Sequence, residues 1–554
     1  MQKERCHLDH TSLLSTIKNT FNDVSDPITK YNGKYSIPDC LMSAVAIFGL
    51  KYPSLLQYDD KVHGDILVES NLKRLYQIKN IPSDTHLRAR LDDIDPSELD
   101  ATIDALIVPL QRGKVLEEYR FLDEYYLISI DGTGVFSSDT IHCANCCVKH
   151  GRPKFSLDVI RVNDEIIYTH ELFHWKSKLQ KGKKDGLLLL YSPADNAWHL
   201  HEFDTSANKF VQRAVTAEVN GLLSQLKNNK IPKSAIDELA TLLLEDSFLF
   251  EGKDQHGYTK YYHQTLSAVL VHPDYQEVFP LAIEPMIRQD GATKNDCERN
   301  AAFRLLRELK KSHPHFKFVI VLDALYANGP LIKLLQELDF RYIITAKNTD
   351  FLFEEHLNNK KRVMVNKTVD NTQETYVYSQ NMPLNETHQD IKVNILEYTE
   401  VTTKFSKKKN KSEENRFYSA WLTDLPINND NLRRFMRGAR SRWKIENETY
   451  NTLKNQGYHF ERNFGHGNKN LCTVLCYAMF IAFLIDQIQF RVGNYYRKLK
   501  ELLKSKKSMW EEIRSYFFHV KFMTWNELYQ TMLERVELKI QTRLARNKRY
   551  VDTT

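Results

Sequence analysis

The segment Phe318-Val319-Ile320-Val321-Leu322-Asp323 constrains the fold more than any other. Five successive apolar residues, three of them β-branched, leave no face for water. The run is too short for a buried helix and fits a strand covered on both sides. Strands of that kind belong to parallel or mixed sheets packed between helices, so the chain reads as α/β. The run ends in Asp323. Tyr125-Tyr126-Leu127-Ile128-Ser129-Ile130 is a second strand, read as running into a turn at Gly132-Thr133-Gly134, with Asp131 at its end. In open α/β sheets, ligands sit at the carboxyl ends of the strands. Asp131 and Asp323 are therefore candidate site residues.

At 554 residues the chain is long enough for three or four domains. Residues 1–117 read as a helical region, with Ser36-Ile37-Pro38 opening one apolar segment and Ser97-Glu98 an amphipathic one. Binding DNA and capping the core are both open to it. Strands are expected at Thr265 to Val271, Val278 to Ile283 and Tyr342 to Thr345, and helices at Lys294 to Lys311 and Leu331 to Leu338. These pieces place one discontinuous core in residues 118–150, 253–347 and 427–495. Residues 348–426 alternate polar and apolar, as a β-rich insertion would, with a basic loop from Lys404 to Lys411. Helix is expected to resume from Asn429 through about Lys454. Residues 151–252 form a further inserted subdomain, with short strands (Ser156 to Ile160, Glu165 to Thr169, Leu187 to Tyr191) and a helix near Ser234 to Leu244. Residues 496–554 are a basic helical C-terminal region.

The net charge of +6 is unevenly spread. Residues 497–554 hold 14 Lys/Arg against 7 Asp/Glu, and residues 431–469 hold 9 against 3. Such clusters suit a polyanion, and solvated helix faces carry the same pattern. The longest apolar run, Leu471 to Ile485, has 15 residues before Asp486. A bilayer span needs about 20, so a buried helix and no membrane are expected. The N-terminal residues lack the apolar core of a signal peptide, and a reducing cytoplasm is the expected location. Cys143, Cys146 and Cys147, flanked by His142 and His150, offer half of a zinc site or a loop of reduced thiols.

A third carboxylate, Glu446, lies on the helical stretch Arg442-Trp443-Lys444-Ile445-Glu446-Asn447-Glu448. Three carboxylates can hold two Mg²⁺ ions, with Mn²⁺ as a substitute, and such a pair serves in-line displacement at phosphorus. Arg442 and Lys454 nearby suit the charge of a phosphate.

Together these segments resemble the DDE transposases of bacterial insertion sequences, in the IS-four-like branch that includes the Tn-five transposase. Ile130-Asp131-Gly132-Thr133-Gly134 resembles the first-Asp block, and Leu322-Asp323-Ala324-Leu325-Tyr326-Ala327-Asn328 the second. Tyr262-His263-Gln264 and Lys294-Asn295-Asp296-Cys297-Glu298 resemble blocks between them. Arg442 to Glu448, with Leu453-Lys454 and Phe464-Gly465-His466-Gly467, resembles the Glu block.

The resemblance implies an RNase H-like core, a mixed five-stranded sheet flanked by helices, with a β-rich insertion before the Glu. It implies that Asp131, Asp323 and Glu446 bind the metal ions and catalyse cut-and-paste transposition. Partners would be the terminal inverted repeats and target DNA, bound by a homodimer on two ends, on the nucleoid in a bacterial cytoplasm. Arg442, Lys444 and Lys454 would contact DNA, and Trp421 would stack on a flipped base. The family's Tyr is replaced by Ala439, leaving Tyr450 as a substitute phosphate contact. Lys454 stands one residue later than in the family pattern, and residues 151–252 interrupt it. A DNA-binding relative without catalysis and a structure-selective nuclease are the alternatives on the same residues.

Overall fold

The structure is a computed structural model of the full chain. It describes residues 7–27, 35–151, 158–160, 188–192, 197–204, 209–212, 214–225, 258–287, 297–347, 351–406 and 411–551. The chain divides into two compact units, Met1–Cys147 with Tyr261–Thr554, and Val148–Lys260.

The first unit is built on a large mixed sheet. Its main strands, nine of 11, are β1 (Tyr125–Ser138), β2 (Tyr258–Val271), β3 (Phe279–Met286), β4 (Phe318–Leu322), β5 (Arg341–Thr345), β6 (Val363–Val369), β7 (Thr372–Pro383), β8 (Lys392–Ser406) and β9 (Lys411–Thr423). Eight of them lie in the order β6-β7-β8-β9-β5-β4-β1-β2, β3 pairs with β2 off that path, and the short strand Arg120–Phe121 pairs with β1. β4 is parallel to both β1 and β5, and its five residues are all buried, as a run with no polar face requires. The remaining pairs are antiparallel.

The sheet is larger than the five strands expected. β9 pairs with β5 through Ile343–Thr423, Ile344–Leu422 and Thr345–Trp421, so the alternating segment extends the central sheet instead of forming a separate layer. Leaving the β5 edge unpaired would expose a row of backbone donors and acceptors, and β9 satisfies them. A helix, Phe351–Asn358, precedes these strands. The helix between β3 and β4 is Glu298–Ser312, and its expected first residues, Lys294 to Asp296, lie outside the described residues.

Two sequence expectations change here. Asp131 does not end a strand: β1 continues through Gly132-Thr133-Gly134 to Ser138, with a register shift between Gly134 and Phe136. The helix expected from Asn429 to Lys454 is broken into Leu432–Arg440, a π-helical turn Ile445–Tyr450, and Asn451–Asn455. π-Helical turns are uncommon and cluster at functional sites.

The helical ends of the chain pack together. The apolar run near Leu471 becomes a 22-residue helix, Leu471–Val492, long and apolar enough to cross a membrane, of which 94% of the most apolar window is buried within the protein. Asp486 does not close it. Instead, its carboxylate is buried and paired with Lys51 at 2.7 Å. His10 stacks on Trp525 at 4.2 Å, and the amide of Asn71 bridges the carbonyls of Phe517 and Val520 at 2.7 Å each. Each helical set has an apolar stripe too large to leave in water, and the two cover one another.

The second unit contains a four-stranded sheet of Asp158–Ile160, Leu188–Ser192, Ala197–Asp204 and Lys209–Gln212, and the helix Ala217–Gln225. The expected strand Glu165 to Thr169 and the helix near Ser234 lie outside the described residues.

Candidate active site

The parallel pairing of β1 with β4 ends at Ser129–Val321. Asp131 and Asp323 each stand two residues beyond that pair, on adjacent chains running the same way. The strand end that matters is therefore the end of β4, past which β1 continues with only β2 beside it. Asp323 leaves β4 with extended backbone (φ −81°, ψ 178°) and caps the turn Ala324–Tyr326, accepting from Leu325 N–H at 2.8 Å. Asp131 accepts from the N–H of Gly132 at 2.9 Å, which fixes one carboxylate oxygen.

A further carboxylate joins them. Glu298, the first residue of its helix, accepts from the Tyr326 phenol at 2.7 Å. A Cβ built on Gly132 would lie 3.3 Å from Glu298 Cδ, which sets the glutamate against the backbone beside Asp131. Glu298 lies in the Lys294 to Glu298 block but is not among the expected site residues, and an acidic residue in a first helical turn also has an ordinary role, balancing the helix dipole. Burial pushes the Asp131 carboxyl up to about 6; the Gly132 N–H and Arg442 oppose this, while Glu298 and Asp323 add to it.

Arg442 stands over this cluster. Its guanidinium lies 3.6 Å from Asp131 Oδ2, and its carbonyl accepts from the Ser129 hydroxyl at 3.1 Å. It also stacks 4.4 Å from the ring of Trp443, which is 50% exposed. Glu446 is exposed on the π-helical turn. Both flanks of that turn touch β1, Arg442 at Ser129 and Tyr450 at Asp131.

The expected DNA contacts separate into groups. Lys454 is partly exposed and pairs with Glu461 at 3.3 Å. Lys444 is half-buried and donates to the carbonyl of Tyr275, and burial lowers its pKa. Tyr450 is buried, with its phenol donating to the Asp131 carbonyl at 2.5 Å and lying 2.8 Å from the Ser267 hydroxyl. It supports Asp131 and has no exposed hydroxyl for a phosphate. Trp421 is 4% exposed on β9, in the core and away from any surface on which a base stacks.

The basic stretch before Glu446 is less cationic than its composition. Arg434 forms a fork on Asp123 at 2.9 and 3.0 Å, Arg440 pairs with Glu400 at 2.8 Å, and Arg437 pairs with Asp274.

No family model matches the sequence, and no curated protein matches it. Among solved structures, the chain is similar to one in a cryo-EM structure of a piggyBac transposase synaptic complex with hairpin DNA, at 12% identity over 96% of this chain and 84% of that one, with a TM-score of 0.31.

Proposed function

We propose that this chain is a DDE-type transposase with an RNase H-like core, of the IS-four-like branch, in which Asp131, Asp323 and Glu446 form the metal-binding site. One observation carries the reading. The β1–β4 register sets Asp131 beside Asp323, and Arg442, on the segment that bears Glu446, reaches Asp131 at 3.6 Å. The antiparallel β1-β2-β3 followed by parallel β4 and β5, with helices between β3 and β4 and between β4 and β5, suits the expected core.

By donor type the residues suit Mg²⁺, while among the described residues no three carboxylates are gathered closely enough to make a preformed metal site. Every donor at the cluster is a carboxylate oxygen, the choice of a hard cation. Asp131, Asp323 and Glu446 would hold the ions, with Glu298 beside the two aspartates. When bound, such ions supply an acidified water and stabilise charge on the phosphate. The protein's own groups do the rest. Gly132 N–H and Tyr450 hold Asp131 in place, and Arg442 neutralises a phosphate oxygen. A water oxygen bonds to phosphorus at the transposon end and loses a proton, while the bond to the 3′ oxygen breaks and that oxygen gains one; the freed 3′-OH then bonds to a target phosphorus as the bond from that phosphorus to the target's own 3′ oxygen breaks. Terminal repeats and target DNA are the partners, with a homodimer holding two ends.

Asp323→Ala is expected to abolish Mg²⁺-dependent cleavage of DNA carrying the flanking inverted repeats while leaving end binding intact. Retained cleavage overturns the assignment. Comparing Glu446→Gln with Glu298→Gln identifies the third carboxylate: the first variant should lose cleavage, and the second should raise the Mg²⁺ concentration required.

A further inference from the structure

The cysteine cluster after β1 is not used by the chemistry above, and it is not the loop-contained set that its spacing suggests. Cys143 and Cys146 do face one another, at 3.8 Å between sulfurs. Cys147 turns away and contacts the carbonyl of Met286 at 3.6 Å, and His142 stacks on Tyr261 at 4.3 Å. The side chain of His150 lies outside the described residues. The other two members of the cluster come from far along the chain. His263 Nε2, on β2, lies 3.4 Å from Cys143 Sγ and 3.3 Å from Cys146 Sγ. His466 Nε2 lies 3.3 Å from Cys146 Sγ. All four donor atoms fall within 4.8 Å of one another.

These are the edges of a small tetrahedron. With Zn–S near 2.3 Å and Zn–N near 2.05 Å, tetrahedral geometry requires about 3.8 Å between sulfurs and about 3.6 Å between sulfur and nitrogen. A disulfide would require about 2.05 Å between sulfurs, and both cysteines are free thiols. His263 and His466 are 3% and 5% exposed, and the Nδ1 atoms of both are buried with no hydrogen-bond partner among the described residues. Among the described residues, the polar contacts of each ring are thus made through Nε2, to the cysteine sulfurs around the point between the four atoms.

The loop carrying His466 is held in advance. Gly465 and Gly467 have φ of +146° and +73°, which a side chain resists, and a Cβ on Gly467 would fall 2.2 Å from Asp92 Oδ1. That carboxylate accepts from the N–H groups of Lys469, Asn470 and Leu471 at 3.0, 3.0 and 2.9 Å. Asn145, between the two cysteines, donates to the carbonyl of Lys469 at 3.1 Å.

We propose that Cys143, Cys146, His263 and His466 form a closed structural Zn²⁺ site that ties the end of β1 and the middle of β2 to the loop before the helix Leu471–Val492. Four protein ligands leave no open position for a substrate, as in structural zinc sites. The ion would clamp the strand that carries Asp131 to the segment that follows Glu446.

The test is metal content and geometry of the purified full chain. Metal analysis should give one zinc per chain. After chelation, Co²⁺ alone should produce the visible bands of a tetrahedral ion with a thiolate charge-transfer band, and X-ray absorption of the zinc form should give two sulfur and two nitrogen neighbours. Cys146→Ser and His466→Asn should lose the zinc, while Cys147→Ser and His142→Asn keep it. Folded wild-type chain that takes up neither Zn²⁺ nor Co²⁺ in stoichiometric amount overturns the proposal, as does zinc loss in Cys147→Ser with retention in Cys146→Ser. The wild-type spectra decide the matter even where a cysteine variant does not fold.

Discussion

The phenol of Tyr450 donates to the backbone carbonyl of Asp131 across 319 residues of sequence. The bond joins the π-helical turn that carries Glu446 to the strand that carries the first aspartate. Tyr450→Phe removes it and strands the Ser267 hydroxyl as well. The expected cost is about 1–3 kcal/mol of stability. Cleavage should fall while affinity for end DNA holds, because the hydroxyl is not on the surface. Denaturant melts, cleavage rates and binding titrations separate these effects, and a variant that loses only DNA affinity would restore the phosphate role.

Of Trp421 and Trp443, only Trp443 presents its ring to solvent. It is half exposed with Arg442 against one face, and Trp421 is in the core. Trp443→Ala should weaken binding of single-stranded or unpaired end DNA by about 1–3 kcal/mol, the usual worth of a base stacked on an aromatic ring. Its melting curve should barely move. Trp421→Ala should instead destabilise the fold by about 3–5 kcal/mol through the cavity it leaves. Binding titrations beside thermal melts for the two variants check the contrast.

Lys51 and Asp486 form an ion pair inside the helical layer, with side chains 2% and 4% exposed. The ammonium lies 3.9 Å from the ring of Tyr458, and the phenols of Tyr458 and Tyr496 both donate to the carboxylate. Removing one charge leaves the other buried and unpaired, so Lys51→Met should cost about 3–5 kcal/mol. Adding Asp486→Asn, which keeps an acceptor for the phenols, should recover much of that loss. A double-mutant cycle by urea unfolding measures the coupling, and additive losses would deny it.

His10 gives the fold an acid sensitivity. Burial is the largest influence and holds its pKa down to about 4, with Asp486 raising it, and Lys51 lowering it, to a lesser degree. Its Nδ1 lies 2.7 Å from the Tyr529 phenol. The unfolded chain takes up this proton near pH 6.5, so between about 6.5 and 4 the unfolded state binds more protons. Stability conferred by neutral His10 is therefore complete above that window and lost as pH falls through it, by on the order of 3 kcal/mol. His10→Phe, which keeps a ring against Trp525, should flatten the dependence of melting temperature on pH in that range. Parallel slopes for variant and wild type would exclude His10 as the source.

The central strand was legible because Phe318 to Leu322 has no polar face, and a strand of that kind has one stable environment. The long apolar helix was legible for the same reason, although Asp486 misled as to its end. A lone carboxylate in an apolar run reads as a terminus until a cation 435 residues away is seen to pair with it. Local sequence thus determined which segments must be buried and which acids could stand at a strand's edge. Tertiary structure decided what each charged or ligating group meets. Asp131 is set beside Asp323 by the β1–β4 register and not by a turn after Ile130. Arg434, Arg437 and Arg440 look like a phosphate-binding surface in one dimension, and each is answered by an acid from another element. The cysteine spacing identified two of the four proposed zinc ligands, but the other half of the site enters from His263 and His466, 117 and 320 residues beyond Cys146. Hydrophobic burial depends on a residue's own side chain and its near neighbours, and so it is written locally. Charge pairing and metal ligation depend on distances in space, which only the completed fold supplies.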